Sequence, residues 1–234
     1  MGDDDRAETS SDSRTRGGWK PAGTSAARRA RQSERVTAKG GRSRDELLVA
    51  ARRVFERDGY LEARVADIVA EAGLAHGSFY TYFSSKKDVF RGVAREVGRR
   101  FDEAVEPDDA ELDTYEALDR VNRRYLAAYR DNSAIWALIE QVSTFDPDIH
   151  RLRLAGRRKH VDRMARAIVR LQERGLADRD IDVRTTAGAL VSMLSNFAYW
   201  WLAGGDDYEE EAAARTLTAI WAKAVGLRTG RPAE

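Results

Sequence analysis

From Ser43 to Val225 the apolar residues recur every three or four positions, and no stretch alternates convincingly enough to read as a strand. That period lets each segment bury one stripe of an amphipathic helix. An all-α fold of about nine helices is therefore expected. The first reads from Ser43, where S-R-D-E allows Ser43 to cap the helix and Glu46 to reach back, to a stop at Gly59. The second runs from Val65 to Ala72 with Gly73 at the turn, and the third from about His76 to Phe83. Phe90, Val93, Ala94, Val97 and Phe101 mark a fourth, broken before Pro107. The others read roughly Glu111 to Arg130, Ser133 to Thr144, Pro147 to Arg174, Val183 to Ala203 and Glu209 to Val225, with Gly175 and Gly204 as stops.

Composition narrows the chemistry. The 40 Lys+Arg and 39 Asp+Glu leave a net charge of +1, so any surface for a polyanion must be local. Without cysteine there are no disulfides, thiolate metal sites or cysteine nucleophiles. The three histidines form no H-E-x-x-H pair, and there is no glycine-rich phosphate loop or nucleophile elbow. No cofactor, metal or catalytic residue is expected, and an enzyme is the weak rival. The opening MGDDDRAETS lacks the basic segment and apolar run of a signal peptide, and no apolar run reaches membrane-spanning length. A cytoplasmic protein without a membrane partner is the expectation.

Between Ser13 and Arg42 the bases are many and Glu34 is the only acid, with almost no large apolar residues. Residues 1–42 therefore read as a disordered basic arm, either a solubilising tail or a polycation that follows a phosphate backbone. Residues 43–88 read as a three-helix head, 89–228 as a larger helical domain, and 229–234 as a tail. Two short helices joined through Gly73 form a helix-turn-helix candidate, because glycine lets the chain reverse tightly enough for one helix to lie across the other.

The third helix carries GSFYTYFSSKKD, Gly77 to Asp88. At about 100° per residue, Phe79 and Phe83 share one face and Gly77, Ser78 and Thr81 the opposite one, with Tyr80 and Tyr82 on the flanks. A face of small residues can approach another surface closely, as a major-groove helix must. If Ser85 caps the fourth helix with Asp88 closing an S-x-x-D box, Lys86 and Lys87 stand at its positive end. Cations there suit a site where an anion docks on free backbone N–H groups.

Ala72 to Phe90, A-G-L-A-H-G-S-F-Y-T-Y-F-S-S-K-K-D-V-F, resembles the signature of TetR-family transcriptional regulators. The likeness extends through Ala50-Ala51, Phe55, Gly59-Tyr60 and Asp67-Ile68. It implies a three-helix DNA-binding head and a C-terminal domain that binds a small molecule and dimerises through its last two helices. Carried onto this chain, it implies that His76, Gly77, Ser78, Tyr80 and Thr81 face the major groove and that Tyr82 and Lys86 hold phosphates. Arg64 and Ala75 depart from the Ser or Thr caps common in the family. Arg64 can supply by charge the phosphate contact a hydroxyl would make. Ala75 leaves its cap to water or neighbouring backbone.

The helix from Val183 to Ala203 is apolar nearly all round and must be covered on more than one side. With the last helix it suits an intersubunit bundle through Leu190, Leu194, Trp201, Leu217 and Trp221, or else a fully buried core helix. Trp136, Phe145, Met164, Phe197 and Trp200, with Asn196 to orient a guest, are the expected contacts of a small hydrophobic or aromatic effector. The arginines from Arg151 to Arg174 read as a solvated face, because Val161, Met164, Ile168 and Leu171 already form a buried stripe.

These readings and the resemblance combine into an expected ligand-responsive homodimer, a repressor by default, on a pseudo-palindromic double-stranded operator. The alternative is an architectural DNA-binding protein with a filled core.

Overall fold

The computed structural model describes residues 25–105 and 115–228, with side chains from residue 41 onward. The first part of the expected arm, the break at Pro107 and the tail lie outside the described residues. The chain divides into two units, residues 1–43 and 44–234. In the first unit the described backbone is helical.

Among the described residues every regular element is a helix, and there are nine: α1 Ser25–Glu62, α2 Val65–Glu71, α3 His76–Tyr82, α4 Lys86–Val105, α5 Tyr115–Arg130, α6 Ser133–Ser143, α7 Pro147–Glu173, α8 Val183–Leu202 and α9 Glu210–Ala224. Most bounds lie within a residue or two of expectation, and α5 is described only from Tyr115. The exception is the start of α1. The backbone is already helical at Ser25, so Ser43 lies inside the helix and does not cap it, and residues 25–42 are not the irregular segment expected. Ala26, Ala27, Ala30 and the arginines between them favour helix, and no proline lies between Pro21 and Ser43 to stop it. The expected stop at Gly59 is real: its φ of 76° and ψ of 169° break the helical path.

In the second unit, α1, α2, α3 and the first half of α4 close around Leu47, Phe55, Ile68, Phe79 and Phe90. Ile135, Ile139 and Val142 of α6 and Ile149 of α7 join the same cluster, so the core runs across the boundary expected at residue 88. A Cβ on Gly92 would come within 2.8 Å of Leu48 Cδ2 and 3.2 Å of Phe83 Cε1, so α4 approaches the head where only glycine fits without displacement.

Further along the chain, α7 packs on α8 and α5 on α9. A polar staple fixes the second pair: buried Asn122 donates to Thr218 Oγ1 at 3.1 Å, and that hydroxyl donates to Asp119 at 3.1 Å. Arg123 bridges Asp119 to Glu211 from the solvent side. No described helix is long and apolar enough to cross a membrane.

Candidate nucleic-acid interface and chamber

The turn between α2 and α3 is made by Gly73, whose φ of 64° lies in the left-handed region that β-carbons disfavour. Ile68 and Val69 hold α2 down, and Phe79 and Phe83 do the same for α3 and its end. The outward face is as the wheel predicts. His76, Gly77 and Thr81 are exposed, Ser78 and Tyr82 are half-buried, and Tyr80 is 57% exposed. The His76 ring meets Tyr80 edge to face at 5.7 Å, which gives the exposed phenol a neighbour on its own helix. Neither Arg64 nor Ala75 makes a side-chain cap, so the backbone N–H groups opening α2 and α3 are left to other acceptors.

The start of α4 separates the two lysines. Ser85 Oγ accepts from Asp88 N at 3.2 Å, as the box requires, but the Asp88 carboxylate reaches back to Ser84 N at 3.1 Å instead of Ser85 N. Lys86 Nζ donates to Leu61 O at 2.9 Å and lies 5.0 Å over the Tyr60 ring. Among the described residues it has no carboxylate partner, so its charge stays available beside the head. Arg64 likewise has none. By contrast Arg53 and Arg57 are drawn to Glu71, and Arg52 to Glu56. A cation missed by the sequence reading, Arg44, lies 5.4 Å over the Phe83 ring, close to the end of α3.

Lys87 turns inward to the domain behind, pairing with Asp146 at 3.1 Å and Asp148 at 2.8 Å. Asp146 is the N-cap of α7 and accepts from Asp148 N and Ile149 N. Arg91 pairs with Asp88 at 2.6 Å and approaches Asp148 at 3.8 Å. These charges tie α4 to the α6–α7 corner. Burial opposes the charge on Asp146, yet Lys87 and the two cap N–H groups outweigh it and hold the carboxyl below its usual range. Lys87 itself depresses Asp148, and the two aspartates raise Lys87.

A carboxylate depressed by folding contributes its full stability above the ordinary Asp pKa of about 3.9 and loses it as pH falls through the folded value. The raised lysine acts at the opposite end and loses its contribution above about 10.4. Acidifying from pH 7 to 3 is therefore expected to lower the melting temperature of the native chain more than that of Lys87→Met. Equal acid sensitivity of the two would show that the bridge contributes nothing.

Behind α4 is a chamber of about 460 Å³ walled by α4, α5, α6, α7 and α8. Phe101, Tyr125, Tyr129, Trp136 and Ile139 make its apolar wall, with Phe101 edge-on to Trp136 at 5.5 Å and Tyr129 stacked on Trp136 at 6.2 Å. A smaller chamber of about 150 Å³ lies against Met164, Leu190, Leu194 and Trp221. Tyr125, His160 and Val191 line both. His160 Nε2 lies 3.3 Å from Asp102, but burial outweighs that attraction and pushes its pKa down.

Of the expected ligand contacts, Trp136 lines the larger chamber and Met164 the smaller. The other four face neither of these chambers. Phe145 is 54% exposed and lies 6.1 Å from the Tyr60 ring, because the α6–α7 corner turns toward the head. Asn196, Phe197 and Trp200 project from the side of α8 away from Val191 and Ser195, the α8 residues on the larger chamber's wall. The real wall includes α4, whose Gly98 and Phe101 the sequence reading did not assign. Its signal was a glycine inside a strongly periodic helix.

The expected dimer contacts also change. Leu190, Leu194, Leu217 and Trp221 are buried within the single chain, where α8 and α9 pack on α5 and α7. Trp201 is half-buried beneath Arg130, whose guanidinium lies 5.4 Å over its ring. What these helices leave outward is Trp200, 53% exposed, and Ile220, 45% exposed.

A tight helical turn, a recognition-type helix with a small-residue face and uncompensated cations beside it define a helix-turn-helix DNA-binding protein. Residues 47–93 match the description "Bacterial regulatory proteins, tetR family", and residues 111–223 match "Tetracyclin repressor-like, C-terminal domain". The chain belongs to the TetR family of transcriptional regulators.

It is 30% identical over 156 residues to the HTH-type transcriptional regulator BetI of Brucella suis, covering 64% of this chain and 77% of that one. A likeness to the regulator YdgC of Bacillus subtilis, 44% over 55 residues, spans only 24% of this chain and 28% of that protein. In fold the chain is similar to the Bacillus subtilis regulator FadR crystallised with stearoyl-CoA, with a TM-score of 0.65 at 19% identity, covering 77% of this chain and 98% of FadR.

Proposed function

We propose that two copies of this chain place their α3 helices in successive major grooves of a pseudo-palindromic operator, and that a small apolar molecule in the chamber behind α4 releases them. The observation that carries the DNA half is α3 itself, which anchors Phe79 and Phe83 inside while presenting Gly77, Ser78 and Thr81 outward. His76 and Tyr80 border that face, and Arg64, Tyr82 and Lys86 are the phosphate contacts, joined by Arg44. Two heads about one helical turn apart match the symmetry of such a site.

The effector half rests on a chamber large enough for a small molecule and on its α4 wall. The FadR structure, which holds stearoyl-CoA, supports a ligand-responsive reading. An effector that favours a different separation of the heads would weaken DNA binding by its differential affinity for the two states, about 1 to 3 kcal/mol. Repression is the default outcome of such binding, in the cytoplasm, with dimer contacts from the outward faces of α8 and α9, Trp200 and Ile220 foremost.

Phosphate and base contacts are separable by salt. Lys86→Ala is expected to weaken selected and unrelated duplexes alike and to flatten the slope of log affinity against log salt by about 0.9 per phosphate lost in each head. Ser78→Ala with Thr81→Ala should leave that slope unchanged and alter base preference, read by selection from random-sequence DNA. An unaltered salt slope for Lys86→Ala would remove the phosphate role.

A further inference from the structure

The larger chamber is unevenly charged. Arg95, Arg99, Arg153, Arg157 and Lys159 line it against only Asp102 and Glu140. Arg153 is matched by Glu140, Lys159 by Asp102, and Arg99 by Glu96 and Glu103. Arg157 donates only to neutral acceptors, Ser192 Oγ at 2.9 Å and Gly188 O at 3.4 Å. Arg95 has no carboxylate partner among the described residues. Two guanidiniums thus bring uncompensated charge to a chamber whose remaining wall is largely apolar.

A further observation points to an occupant. Gly98 and Gly156 also line the chamber, and a Cβ on either would meet nothing within 4 Å. Glycine inside a helix is unfavourable relative to alanine, and here no close packing requires it, so the two positions hold room open.

We propose that this chamber takes a monoanionic apolar acid, its hydrocarbon body against Phe101, Tyr129 and Trp136 and its carboxylate on Arg95 and Arg157. Guanidinium and carboxylate match in a two-pronged pair. This rests on the reading of the chamber as the effector site and adds the charge of the guest to it.

Isothermal titration of the full chain with dodecanoate and with dodecanol, both kept below their aggregation limits, tests the pairing. Dodecanoate is expected to bind at least tenfold more tightly than dodecanol. The double variant Arg95→Gln, Arg157→Gln should lose that preference while still binding the alcohol, Arg95→Lys, Arg157→Lys should retain part of it, and Gly156→Leu should abolish binding of both. Equal affinity for acid and alcohol, an undiminished preference in the glutamine variant, or no binding of either would overturn the proposal. A parallel titration of a duplex selected from random-sequence DNA separates the two readings. Dodecanoate that binds through the arginines without changing DNA affinity would leave the acid site standing and remove its effector role.

Discussion

Trp200→Glu is expected to convert the protein to monomers while leaving each chain folded, and to lower its affinity for a two-headed DNA site by a factor of about one hundred or more. Trp200 is more than half exposed on α8 and belongs to no buried cluster, so replacing it removes little from the chain's own core. In a dimer built on α8 and α9 it becomes a large aromatic anchor, the kind of residue that dominates interface energies. A glutamate there must be desolvated without a partner, which costs several kcal/mol in a well-packed interface. Losing the second head removes the gain of linked binding, about 10² to 10⁴ in affinity.

Sedimentation at micromolar concentration, circular dichroism and a DNA titration together read the result. A Trp200→Glu protein that sediments as the native dimer would place the interface elsewhere. Trp221→Ala is the contrasting case. That side chain is 1% exposed inside the chain, so its loss should cost about 3 to 5 kcal/mol of folding stability.

Phe90→Ala carries an equally large expected effect on stability. The ring is fully buried and meets Phe55 edge to face at 5.0 Å and Tyr60 at 4.8 Å, at the point where α4 enters the head. Truncation leaves a cavity that three packed helices cannot fill, at a cost of about 3 to 5 kcal/mol. Against the about 5 to 15 kcal/mol of a typical domain, this lowers the melting temperature by about 10 °C or more. DNA binding falls with it, because the helices that position α3 share that cluster. Tyr80→Ala, at a mostly exposed site on α3, should change the melting temperature by less than about 2 °C. If Phe90→Ala melted with Tyr80→Ala, the cluster would not be the keystone of the head.

The head was legible in the sequence because each of its choices is local. Phe79 and Phe83 are four residues apart and must share a face, and Gly59 and Gly73 adopt the left-handed turns their positions require. Lys86 and Lys87 were not separable on those grounds. Only the folded chain brings Asp146 and Asp148 to one of them and the Leu61 carbonyl to the other.

The same limit explains α8. A wheel shows which residues share a side, but a helix apolar nearly all round does not reveal which side its own chain covers. Leu190 and Leu194 turn to the chain's own core, and Trp200 turns outward. For Phe145 the reason is simpler. Aromatic content marks burial on average, whereas this residue sits at a corner beside Tyr60 and lines neither chamber.

The missing β-carbon of Gly92 has a mechanical meaning. With Leu48 and Phe83 so close to that position, α4 packs tightly on the head, and the proposed release treats the two as one lever. The 20 residues of α4, at about 1.5 Å each, give that lever a length of about 30 Å. Phe101, on the chamber wall, sits toward its far end. Over such an arm a tilt of about 5° becomes a displacement of roughly 2.6 Å, nearly the length of a whole hydrogen bond. In the proposed mechanism a guest need shift the chamber wall only slightly for two heads in register with the grooves to fall out of step.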